Sequence, residues 1–140
     1  MDALAILTDQ HRHIEDLLVR ARTDRTAIAE LADAVAMHIA VEADRLYPHL
    51  SVSRQVLAEL HAEHTEIRRV LAELCWLDGD GDADDVAPLL ANLAELVAGH
   101  SAWQDRELFE TLAETLPAGV LADLGATVRA GFEALQPLAA

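Results

Sequence analysis

The chain has 140 residues, 52% of them hydrophobic and 4% aromatic, a length and balance that predict one domain with a core of packed helices. Ten Lys and Arg stand against 25 Asp and Glu, a net charge of −15, so nucleic acid and anionic membrane lipid are excluded as expected partners. No apolar run is long enough to span a bilayer, Met1-Asp2-Ala3-Leu4 lacks the parts of a secretory signal, and the single Cys75 excludes an internal disulfide; a cytoplasmic protein is expected.

The first predicted helix runs from about Ala3 to Arg22, with Leu4, Leu7, His11, Ile14 and Leu18 on its inward stripe. His13 lies off that stripe and is expected at the surface. Thr23 and Asp24 are candidates to cap the next helix. That second helix, about Arg25 to Tyr47, carries Leu31, Val35, His38, Glu42 and Leu46 at spacings of three and four. Pro48 helps to end it, and His49 is expected to face solvent. The third helix begins near Ser51 or Ser53 and reaches about Leu77 on a stripe of Leu57, Leu60, His64, Ile67, Leu71 and Leu74. His61 sits one turn before His64. Cys75 and Trp76, near its end, are expected to pack in the core.

An acidic stretch, Asp78 to Asp85, reads as a solvated linker. Its spacing resembles a calcium loop, but Ala83 stands where glycine is needed and Leu89 where the closing glutamate belongs. The fourth helix, about Asp85 to Leu116, tolerates Pro88 in its first turn and lines its inner face with Leu89, Leu93, Val97, His100, Gln104 and Leu108. Pro117 opens a fifth helix to about Leu135, whose stripe of Leu121, Leu124, Val128, Phe132 and Leu135 is free of ionisable groups. It reads as a packing helix or a self-association surface. Strand signals are absent. The expected fold is all-α: an up-down-up-down four-helix bundle over about 3–116, plus a C-terminal helix over about 117–136, in one domain covering 1–140.

The stripe of the second helix buries a carboxylate and an imidazole where apolar groups belong, which is costly unless something compensates the charge. The phrase returns 62 residues later: Val35, His38, Leu46 and Tyr47 are answered by Val97, His100, Leu108 and Phe109, and Glu42 by Gln104. A shift of 53 residues places His11, Ile14 and Leu18 on His64, Ile67 and Leu71. Two related helical hairpins therefore bring His11, His38, His64 and His100 to one level. A lone histidine on an apolar face is usually a hydrogen-bonded core residue. Four at matched positions, with a carboxylate one turn away, point to metal. The donors exceed what one tetrahedral ion needs, and carboxylates can bridge two ions, which favours iron or manganese over zinc.

With these residues in view, the chain resembles the hemerythrin-like proteins of the HHE cation-binding family over about its first 112 residues. The family has a histidine on the first helix, His-x-x-x-Glu on the second, a histidine on the third and His-x-x-x-Glu on the fourth. His11, His38 with Glu42, His64, and His100 follow in that order. The resemblance implies two iron ions, oxo- or hydroxo-bridged, meeting dioxygen, peroxide or nitric oxide; manganese or zinc are alternatives. The chain departs from the pattern at Gln104, a neutral amide that makes a poor bridge. Asp105, five residues after His100, resembles the His-x-x-x-x-Asp of oxygen-carrying hemerythrins and is expected to complete the carboxylate set. Those proteins also pair two histidines on the third helix, at a spacing of four, and His61 and His64 resemble that pair at a spacing of three. Glu107 is a fallback ligand. Tyr47 and Trp103 read mainly as packing groups.

Function remains open among four readings. A di-iron protein that binds, senses or reduces a small oxidant leads. The others are an iron-sensing or storage module without turnover, an oxidase or peroxidase (or a catalase-like enzyme), and a metal-free helical interaction protein. A monomer or a homodimer fits each.

Overall fold

The computed structural model describes residues 2–80 and 83–135. Asp2 starts the first helix: its carboxylate accepts the Ala5 N–H at 2.9 Å, satisfying one of the donors that a helix start leaves free. Helix α1 then spans Ala3–Ala21. Asp24 Oδ1 accepts the Thr26 N–H at 3.0 Å in the turn that follows, and α2 spans Ala27–Val41. Ser53 Oγ accepts the Val56 N–H at 3.2 Å at the start of α3, Arg54–Asp80. Helix α4 covers Ala83–Trp103, α5 Phe109–Thr115 and α6 Ala118–Leu135. The backbone of α3 stays helical three residues past the expected Leu77, since glycine costs a helix only about 1 kcal/mol. The expected acidic linker is correspondingly shorter, and its residues 81–82 lie outside the described residues.

The second and fourth helices are less regular than their stripes suggest. Each passes into one π turn, Glu42–Leu46 and Gln104–Leu108. In these turns the Tyr47 N–H reaches the Glu42 carbonyl and the Phe109 N–H reaches the Gln104 carbonyl, five residues back. A 3₁₀ turn containing Pro48, Tyr47–His49, then ends the second helix. The two π turns are related by the same 62-residue shift as the sequence repeat.

Contacts α1–α2, α2–α3, α3–α4 and α1–α4 close the up-down-up-down bundle, and α6 lies against α1, α2 and the first π turn. There is no strand among the described residues, and no helix among them is long and apolar enough to cross a membrane. The predicted stripes form two apolar clusters. One gathers Ile14, Leu18, Leu31, Val35, Ile67, Leu71, Leu93 and Val97. The other gathers Leu7, Leu46, Tyr47, Leu60, Leu108, Phe109 and, from α6, Leu124, Val128 and Phe132. Helix α6 is thus a packing helix over most of its stripe, although Leu135 at its end is exposed. Cys75 and Trp76 are not core residues as expected. Both are exposed, Trp76 to 76%, because they fall on the outer side of α3 beside the buried Leu74.

Candidate metal centre

Between the two apolar clusters the chain buries a polar layer. His11 on α1 lies between Leu7 and Ile14, and His38 on α2 between Val35 and Val41. His64 on α3 lies between Leu60 and Ile67, and His100 on α4 follows Val97. All four imidazoles are buried, and so are Glu42 and Gln104, the first residues of the two π turns.

Glu42 is the centre of this layer and is fully buried. Its Oε1 lies against His38 Nε2 and 3.4 Å from His100 Nε2. Its Oε2 accepts the Tyr47 hydroxyl at 3.0 Å and the Gln104 amide. The imidazoles form two pairs around it. His11 Nε2 is 3.1 Å from His38 Nε2, and the His64 and His100 rings lie 5.1 Å apart. The donor atoms accordingly fall into two groups, each within 4.8 Å: His11, His38 and Glu42, and Glu42, His64 and His100.

Electrostatics follow from this burial. Removal from water would push the Glu42 carboxyl up, but His38 and the hydrogen bond to His100 outweigh it and hold the group well below its ordinary range. Burial lowers His64 to about 4, with Glu42 opposing and the neighbouring imidazoles adding to the fall. Burial and His38 lower His11 as well. His100 goes the other way. Burial would lower it, but hydrogen bonds to Glu42 and Glu63 raise it to about 9. The rise at His100 favours its protonated form beside Glu42, and the fall at His11 and His64 favours the neutral form that binds metal.

Two carboxylates approach from outside. His11 Nδ1–H donates to Asp105 Oδ1 at 3.1 Å, and His100 Nδ1–H donates to Glu63 Oε2 at 2.7 Å. Asp105 is 39% exposed and belongs to neither donor group. His61 is exposed and sits edge-on to the Tyr47 ring at 5.6 Å, also outside both groups. Glu107 is exposed, as are His13 and His49.

Tyr47 does more than pack. Its hydroxyl reaches Glu42, stands 3.0 Å from His64 Nε2 and lies 3.3 Å from the Gln104 amide nitrogen. Its ring stacks on His64 at 5.2 Å, as its repeat partner Phe109 stacks on His11 at 5.9 Å. The available signal was the pairing of Tyr47 with Phe109, which marks a hydroxyl with no counterpart. Glu63 gave no signal, because α3 carries many glutamates on its outer faces.

The donor set fits a metal. Imidazole nitrogens and a carboxylate oxygen converge in a buried layer, within 4.8 Å of one another in each group, and Gln104 Oε1 is buried there without a hydrogen-bond partner. A helical bundle with such a histidine–carboxylate layer is a metal-binding bundle. The chain belongs to the family of the hemerythrin HHE cation-binding domain, which matches residues 2–118. Helix α6 beyond Ala118 lies outside that stretch. No match was found among curated proteins or among solved structures.

Proposed function

We propose that the chain works as one hemerythrin-like domain, cytoplasmic and monomeric or homodimeric, that holds two iron ions and uses them to bind, sense or reduce a small oxidant. The observation that carries this reading is Glu42, a fully buried carboxylate common to two histidine groups. In this reading His11 and His38 would hold one ion and His64 and His100 the other, with Glu42 available to both. Two adjacent irons supply redox change and open positions for dioxygen, peroxide or nitric oxide.

The rest of the work falls to the protein. Asp105 and Glu63 keep the protons of His11 and His100 on their outward nitrogens, leaving the inward lone pairs for metal. This use of Asp105 rests on its contact with His11 Nδ1 and replaces the expectation that it completes the ligand set. His61 is left out for the same kind of reason, its exposure. Tyr47 fixes Glu42 through its hydroxyl, and burial together with Glu42 makes that hydroxyl hold its proton more tightly than an ordinary phenol. The apolar clusters on both sides exclude bulk water.

The test is to load the metal-free protein with ferrous iron anaerobically and then add dioxygen, peroxide or nitric oxide separately. New near-ultraviolet and visible charge-transfer bands with at least one of them are expected. Sustained peroxide consumption would make the protein an enzyme, and a single spectral change a carrier or sensor. A loaded protein whose spectrum responds to none of the three would defeat the proposal.

A further inference from the structure

His11, His38, Glu42, His64, His100 and Gln104 are each no more than 4% exposed, yet a cation has to reach them. A cavity of about 580 Å³ opens between α3 and α4 and ends on His100. Glu59, Glu63, Glu66 and Glu95 line it, and Gly99 leaves room beside His100. Arg69 takes Glu66 through two nitrogens, at 3.1 and 2.6 Å, and Glu73 through a third at 2.7 Å, so it offsets part of the charge at Glu66. Glu59 and Glu95 form no ion pair among the described residues. The groove is therefore anionic, and its inner end is Glu63.

His100 is the wall between this groove and the centre. Its Nδ1 faces Glu63 at 2.7 Å on the groove side, and its Nε2 faces Glu42 at 3.4 Å on the inner side. One imidazole ring separates an accessible carboxylate from the buried one. We propose that the groove is the port through which a divalent cation reaches the centre, with Glu63 as the first carboxylate to take it and His100 as the gate. The inference rests on the metal-centre reading above. Charge selects the passenger: a negative groove concentrates cations and does nothing comparable for a neutral oxidant.

Two changes separate a port from a ligand. A Cβ at Gly99 meets nothing within 4 Å, so Gly99→Leu fills the groove without forcing the backbone, and leucine suits a helix better than glycine. Glu59→Gln combined with Glu95→Gln removes charge from the groove without altering a donor residue. The full-length metal-free protein is mixed anaerobically with ferrous iron, and both the rate of uptake and the final metal content and affinity are measured. Each variant is expected to take up iron about tenfold more slowly or worse, with final content and affinity at wild-type values, because a port alters arrival and departure together. Added salt should slow the wild type more than the doubly neutralised variant, which keeps Glu63 but loses two of the groove's charges.

Wild-type rates in both variants would overturn the port. So would a fall in affinity at an unchanged arrival rate, since the groove residues would then be holding the metal. If leucine disturbs α4, the doubly neutralised variant still decides. A wild-type protein that takes up no iron would sink the metal-centre reading itself, and the final metal content distinguishes that failure from the others.

Discussion

Each imidazole of the polar layer has two nitrogens, and the group behind the outer one determines what the inner one offers. Asp105 stands behind His11 and Glu63 behind His100. A carboxylate in that position fixes the tautomer and makes the ring a better donor; losing it typically weakens metal binding about 10–100-fold. Asp105→Ala is therefore expected to lower iron affinity by about that factor while leaving the full metal content at saturating iron. Titration with a competing chelator measures both quantities. Loss of one whole ion at saturation would return Asp105 to the ligand set. The buried imidazoles were legible because a polar residue inside an apolar stripe stands out. Of the carboxylates behind them, Asp105 stood out only through its spacing from His100, and as a ligand, while Glu63 did not stand out at all, since a glutamate on an outer face looks the same whether it touches water or a ring nitrogen.

At the scale of elements, the four long helices follow from stripe periodicity, and the two hairpins from the repeat. The π turns were hidden. A five-residue hydrogen bond leaves the inward residues at spacings that a helix already allows, and only the adjacent inward pairs Leu46–Tyr47 and Leu108–Phe109 betray the slip. That slip swings two neighbouring side chains toward the core and sets the Tyr47 ring on His64 and the Phe109 ring on His11. The first π turn is braced by α6. A Cβ on Gly131 would come within 3.1 Å of Arg45 Cγ and 3.4 Å of Val41 Cγ2. Arg45 can shift, but the buried, branched Val41 cannot easily do so. Gly131→Leu gains some helix propensity and loses more to overpacking, for an expected net destabilisation of about 1–2 kcal/mol. Urea unfolding of the metal-free protein measures it. Unchanged or raised stability would mean that α6 rests loosely on the turn.

At the scale of the molecule, the polar layer interrupts a core that is apolar on both sides. Small metal domains without such a core unfold when the ion is removed. This chain buries two apolar clusters that make no use of metal, and imidazoles already stand against Glu42 within the layer. The metal-free protein is therefore expected to keep its helical circular dichroism and to melt cooperatively, at a lower temperature than the loaded form. Loss of most helical signal on chelation would show that the layer, rather than the clusters, holds the bundle together.

The count of ions tests the account most directly. In the proposed reading Glu42 serves both histidine pairs, which gives two sites, one from each donor group. Metal analysis of the iron-loaded protein should give two ions per chain, falling to one in His11→Ala and to one in His64→Ala. One ion in the wild type, unchanged in His11→Ala, would contradict the account.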